Sequence, residues 1–390
     1  MSQNKTTDWR GISVCFLAGI AAAIAMTKVS PAALDLRQSM NVSLLQIGWL
    51  MSTAAIAIFM FGVLAGRFTK QYGARKILKT GLGILFIAAL LATFSTTPSM
   101  LIAARCIEGF GVILVIVSAP TLISNLSRDS DIGLSMGIWA LWMPTGGLIV
   151  LTIAPSLLPF YGWRLLWISS AVACAVVLVL FRFLPDTKVS KPKSVESNTS
   201  SNTSNAILLA LVFTCFSASF FSLLTYLPTF IHEVMQQTPQ RASFITSILP
   251  LFIIPGNLIG GYFIHRGLAP YKLMAYPSII LFVLIFILFN YASPNMSGVL
   301  LLAAYGLFTG MIPTAIFAQA PRLAATPSET GSILGVAVSG QGLGVLCGPP
   351  TVGYLASTQY GWGIVIVFMM SMFTLLAFLS SKLPRPVKLD

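Results

Sequence analysis

Apolar runs of about 20 residues recur from one end of this 390-residue chain to the other, each followed by a short polar loop. A helix of that length crosses the hydrocarbon core of a bilayer. Twelve runs lie near 11–36, 44–66, 80–97, 100–124, 133–157, 164–184, 206–230, 242–264, 273–292, 296–319, 331–356 and 362–381. Composition agrees: 56% of the residues are hydrophobic and 8% charged, whereas a soluble domain is about 25% charged. Backbone polar groups in lipid must be satisfied within their own segment, so the expected class is all-α integral membrane, with about 12 transmembrane helices. The first run is longer than a signal-peptide core and reads as a retained span.

Charge placement gives the orientation. The net charge of +13 comes from 23 basic and 10 acidic residues, and most of the basic ones gather in alternate loops. Arg67, Lys70, Arg75, Lys76 and Lys79 follow the second run; Lys188, Lys191 and Lys193 follow the sixth; Arg266 and Lys272 follow the eighth; Lys382, Arg385 and Lys388 follow the last. The positive-inside rule makes these segments cytoplasmic, together with both termini, and predicts a multi-pass protein of the inner (cytoplasmic) membrane. The excess charge therefore reports topology and not a nucleic-acid partner. Cys15, Cys106, Cys174, Cys215 and Cys347 fall within runs at no ligand-like spacing, so neither disulfides nor a metal site is expected.

The chain repeats itself. Leu101 to Arg105 (Leu-Ile-Ala-Ala-Arg) answers Leu301 to Tyr305 (Leu-Leu-Ala-Ala-Tyr); Phe61 to Gly66 answers Pro255 to Gly260, with Gly73 and Gly267 each seven residues further on. Tyr161-Gly162-Trp163 answers Tyr360-Gly361-Trp362, and Pro144 to Gly147 answers Pro350 to Gly353. Four matches in register predict two pseudo-symmetric six-helix bundles, residues 1–187 and 206–390. They are joined by a Lys-, Ser-, Asn- and Thr-rich linker, 188–205, that lacks the means to build a core. Parallel repeats of this kind place a substrate site at their interface near the midplane.

Charges inside the runs are few. Arg105 and Glu108 lie three residues apart on the fourth run and share one helical face. A charge at the bilayer centre costs about 2.5–3.5 kcal/mol on insertion scales, so the pair must face protein or a water-filled cavity, as a polar site or as a self-neutralised structural pair. Lys28 falls at about the same depth on the first run by its rise of about 1.5 Å per residue. It joins the pair or, alternatively, snorkels to the outer interface. Arg37, Arg164 and Arg241 sit at outer ends and read as headgroup anchors.

Two motifs resemble the major facilitator superfamily. The stretch from Gly66 to Lys76 (Gly-Arg-Phe-Thr-Lys-Gln-Tyr-Gly-Ala-Arg-Lys) is similar to its loop motif between the second and third helices, and Arg105 to Gly111 (Arg-Cys-Ile-Glu-Gly-Phe-Gly) to its fourth-helix motif. Ser30 to Arg37, Met136 to Trp139 and Leu227 to Phe230 are more faintly similar to a cyanate-permease-like branch. The departures are also specific. Lys70 and Gln71 stand where the loop motif has an acid followed by a base, and the fifth-helix antiporter motif survives only as Pro144 and Gly147.

The resemblance implies a secondary active transporter working by alternating access. The chain lacks a Gly-x-x-x-x-Gly-Lys loop, so energy is expected from an ion gradient, with protons as partner and no cofactor. Lys28 and Arg105 against Glu108 favour a small organic or inorganic anion; a proton-driven exporter of hydrophobic compounds is the alternative. Expected substrate contacts are Lys28, Arg105, Tyr226, Tyr305, Gln341 and Trp142, with Glu108 and Asp35 exchanging protons. Gly66, Gly73, Arg75, Pro144, Gly147, Gly348, Pro349 and Pro350 are expected to gate or bend helices. An enzyme is not expected, since His232 and His265 both sit near span ends, and the working unit is expected to be a monomer in the lipid bilayer.

Overall fold

The computed structural model describes residues 6–128, 131–184, 203–291, 295–323 and 327–384. Among these, twelve helical spans are long and apolar enough to cross a membrane. They are spans 1 (Trp9–Met40), 2 (Leu44–Gly62), 3 (Ala74–Thr93), 4 (Pro98–Leu126), 5 (Leu134–Tyr161) and 6 (Trp163–Phe183) in the first half. Spans 7 (Ser204–Glu233), 8 (Pro239–His265), 9 (Pro270–Tyr291), 10 (Met296–Leu323), 11 (Ile333–Ala356) and 12 (Gly361–Ser381) form the second. Most of the stretch read as a linker lies outside the described residues, and 203–205 already belong to the helix of span 7.

Local chemistry sets the helix ends. Ser43 and Gln46 form a capping box before span 2, and Thr97 caps span 4 ahead of Pro98. Gly73, at φ 87°, ends the helix of span 2 and starts span 3 with no intervening loop. The third span consequently begins near residue 74 and not 80, and Arg75, Lys76 and Lys79 occupy its first turns.

All four glycines with positive φ among the described residues fall into two pairs matched by the repeat: Gly73 (87°) with Gly267 (90°), and Gly162 (62°) with Gly361 (51°). Side chains rarely adopt this backbone, so the duplicated sequence corresponds to duplicated turns.

Three spans break, each three residues before a proline. Span 1 breaks at Lys28 before Pro31, span 5 at Leu141 before Pro144, and span 8 at Ser247 before Pro250. In each case proline lacks the N–H that would bond the carbonyl four residues back. Span 7, the counterpart of span 1, runs unbroken through Pro228, and span 11 runs unbroken through Pro349 and Pro350. Lys28 thus stands at a break that its half-repeat partner lacks.

Span 11 packs between the halves by means of glycine. A side chain at Gly344 or Gly348 would strike the backbone of span 7 at Thr214 and Ala218. A side chain at Gly48 of span 2 would meet the backbone of Pro349 and Pro350 at 2.6–2.7 Å. Ser52 donates to the Val345 carbonyl at 2.6 Å, and Gly342 lies against Phe59. One turn-pair further along the same faces, Gly66 and Gly335 have open space beside them. Spans 2 and 11 therefore touch at the end away from the basic loops and diverge towards the basic end.

Candidate functional site

The Arg105, Glu108 and Lys28 side chains meet inside the first bundle, and all three are fully buried. Lys28 Nζ donates to Glu108 Oε1 at 2.5 Å and to the Ser170 hydroxyl at 3.3 Å, and lies 4.9 Å from the centre of the Trp167 ring. Arg105 Nη1 bonds the other Glu108 oxygen and the Ala25 carbonyl, and its Nε donates to the Leu50 carbonyl at 2.8 Å. Arg105 Nη2 is buried and finds no partner among the described residues. Lys28 therefore does not snorkel, and the cluster is held by spans 1, 2, 4 and 6.

Glycines make this compactness possible. A side chain at Gly109 would sit 2.6 Å from the Ala54 carbonyl oxygen of span 2, so its absence lets span 2 press on span 4 and offer the Leu50 carbonyl to Arg105. Gly111 and Gly81 likewise bring spans 3 and 4 together. The glycines of the fourth-helix motif thus act as packing surface behind the charges.

Other expected site residues lie elsewhere. Asp35 Oδ2 accepts the Trp163 N–H at 2.5 Å and so caps the start of span 6; it does not join Glu108. Tyr226, expected opposite the charges, donates its hydroxyl to the Leu44 carbonyl at 2.6 Å and lies 3.1 Å from that of Pro349, which ties span 7 to spans 2 and 11. Trp142 stacks on Trp139 with ring centres 5.5 Å apart, and the Trp139 ring and the Trp142 Cβ cover Gly19 of span 1. Tyr305 is buried against Phe373, and Gln341 is half-buried on span 11. Arg75 Nη2 reaches the Phe181 carbonyl at 3.4 Å, and Gly147 lies 3.7 Å from Pro250 across the two halves, judged by the position of an added side chain.

Sequence reasoning passed over Trp167 and Ser170. Their signal is their spacing: Trp163, Trp167 and Ser170 recur at four and three residues and so share one face of span 6. It also passed over Glu233, which pairs with Arg37 across the halves, and it read Arg164 as a headgroup anchor, whereas that side chain donates to the Thr93 and Ser95 carbonyls at 3.2 Å. In the second half, the hydroxyls of Ser217, Ser219, Ser222 and Thr229 on span 7 and Thr309 on span 10 are buried without a partner among the described residues.

Comparison with known proteins places this geometry. The crystal structure of a D-xylose-proton symporter superposes with a TM-score of 0.80 at 16% identity, covering 97% of this chain and 98% of that one, a likeness of fold. The methylenomycin A resistance protein of Streptomyces coelicolor is 22% identical over 182 residues, 46% of this chain and 38% of that protein. A D-xylose transporter of Levilactobacillus brevis is 28% identical over 159 residues, 40% and 35% of the two chains. The matched stretch thus spans less than half the length of these curated relatives. The family model of the Major Facilitator Superfamily matches residues 15–338; with twelve spans, paired turns and buried charges on its fourth helix, the chain belongs to that superfamily of membrane transporters and not to an enzyme family.

Proposed function

We propose that this transporter moves a small organic or inorganic anion across the cytoplasmic membrane, coupled to protons and working as a monomer. The observation that carries the reading is the charge balance of the buried cluster. Two cations, Lys28 and Arg105, share one carboxylate, Glu108, and Arg105 Nη2 has no acceptor among the described residues. An anion brought to this face supplies both the missing charge and the missing acceptor. The unpartnered hydroxyls of spans 7 and 10, with Tyr305, Gln341 and Trp142, are the neutral contacts offered from elsewhere.

The packing supports alternating access. With the basic end and both termini on the cytoplasmic side, the divergence of spans 2 and 11 beyond Phe59 and Gly342 corresponds to a state open inwards. Closing it would bring Gly66 and Gly335 together and open the contact of Gly48 with Pro349 and Pro350, with Gly348 staying packed on Ala218 within its own half, while Pro144, Gly147, Gly73 and Arg75 set the angles of spans 5, 2 and 3. Membership of the superfamily supports this rocking motion.

A second reading, proton-driven efflux of hydrophobic compounds, is supported by the resistance proteins among the relatives. Purified protein in proteoliposomes, given a pH gradient and a panel of carboxylates, inorganic anions and cationic dyes, separates the two. Gradient-driven anion uptake is the expected result. Dye movement without anion uptake supports efflux instead.

A further inference from the structure

We infer that Lys28 is the residue that carries the coupling proton, alternating between ammonium and amine. The inference rests on reading the chain as an anion–proton transporter, and it assigns the proton to one member of the cluster by electrostatics. Three groups titrate in principle. Arg105 does not lose its proton in proteins. Glu108 accepts Arg105 through one oxygen and Lys28 through the other. A proton added to Glu108 would leave two fully buried cations facing each other without a counter-charge, which membrane interiors strongly disfavour. A proton taken from Lys28 leaves Arg105 and Glu108 as a neutral pair.

The surroundings of Lys28 suit both of its forms. As an ammonium it has the Glu108 carboxylate, the Ser170 hydroxyl and the face of Trp167. As an amine it accepts a hydrogen bond from the Ser170 hydroxyl, which rotates to donate. The groups facing it are Glu108 and Arg105 from span 4 and Trp167, Ser170 and the buried thiol of Cys174 from span 6. Spans 1 and 2 add the Ala25 and Leu50 carbonyls, both taken by Arg105. Glu108 is the only carboxylate among these groups.

The position of Lys28 adds a mechanical element. It stands where span 1 is broken, between Thr27 and Val29, and Pro31 leaves the Thr27 carbonyl without its helical N–H. A shift at this break can separate Lys28 from Glu108 and present it to water on the open side. There the N–H bond breaks, the nitrogen keeps the electron pair, and the proton passes to water. Charge balance then couples the fluxes. The cluster with an ammonium carries a surplus positive charge and attracts an anion, whereas the cluster with an amine is neutral and does not. Anion and proton accordingly bind together.

The test reads Lys28 directly. Tryptophan emission of the purified protein is titrated from mildly acidic to strongly alkaline pH, beside Lys28→Arg, Lys28→Met and Trp167→Phe, each checked as monodisperse. A one-proton transition is expected in the wild type and is expected to vanish in all three variants, because the charge that perturbs Trp167 is then fixed, absent or unreported. A transition that persists in Lys28→Arg, or a wild type without one, overturns the inference. In proteoliposomes, Lys28→Arg is expected to lose at least tenfold of the pH-driven anion accumulation, and wild-type accumulation in this variant also overturns it. A wild type that shows the transition yet accumulates no anion in the panel overturns the transport reading and leaves the assignment of Lys28 standing.

Discussion

Arg37, at the end of span 1 away from the basic loops, forms an ion pair with Glu233, at the end of span 7, so that one charge from each bundle closes that side. Both side chains remain about one-third exposed, at 32% and 34%. Beneath them Ser30 donates to the Leu224 carbonyl, Tyr226 to that of Leu44, and Ser243 to that of Leu151 at 3.0 Å. A seam of hydrogen bonds thus backs the surface pair.

Partly exposed pairs contribute about 1 kcal/mol or less. Arg37→Glu is therefore expected to shift the balance between inward- and outward-open states only severalfold, and the double exchange Arg37→Glu with Glu233→Arg is expected to restore it. Distances between spin labels at the outer ends of spans 1 and 7 measure the populations. An unchanged distribution in Arg37→Glu would show that the pair does not bias the equilibrium.

Gly353 is expected to be far less tolerant. A side chain there would meet the Tyr226 hydroxyl and lie 2.5 Å from the Leu44 carbonyl oxygen, a backbone atom with little room to move. Gly353→Leu should hold spans 2 and 11 apart at the outer end and favour the outward-open state. Labelling of cysteines introduced along the outer half of span 11 should rise accordingly.

Charge counting orders the cluster variants by stability. Glu108→Gln strands Lys28 and Arg105 together, a loss of about 3–5 kcal/mol for breaking a buried pair, whereas Lys28→Met leaves Arg105 and Glu108 paired. Thermal unfolding in detergent is expected to drop much further for Glu108→Gln than for Lys28→Met. The reverse order would mean that the Lys28 contact, and not charge balance, holds the site.

Gly73→Ala forces a side chain onto a positive-φ backbone, at about 1–3 kcal/mol for such conformations, while Gly66 lies mid-helix with open space beside it. Thermal stability should fall in Gly73→Ala and hold or rise in Gly66→Ala. Any loss of transport in Gly66→Ala would then reflect closure of the basic end and not misfolding.

Span number, orientation signals and the two-fold repeat were legible in the chain because each is local. A run of about 20 apolar residues has few alternatives in a bilayer, and the paired turns at Gly73 and Gly267 or Gly162 and Gly361 are written as repeated glycines. The pairing of Arg105 with Glu108 was legible for the same reason, being set by helical spacing alone. What Lys28 touches was not, since its choice between the interface and Glu108 depends on how closely spans 1, 4 and 6 approach.

The same holds for Tyr226 and Asp35. Tyr226 was expected among the substrate contacts and Asp35 among the proton exchangers; the structure adds that Tyr226 meets carbonyls of spans 2 and 11 and that Asp35 caps span 6. A polar group in a low-dielectric interior takes the nearest unsatisfied partner, and which partner is nearest depends on packing between helices distant in the chain. The sequence by itself determined twelve helices in two related halves and a scarce set of charges at one depth. Only the tertiary structure decided that those charges close on one another inside the first bundle, because that arrangement depends on glycine contacts between spans that no local pattern records.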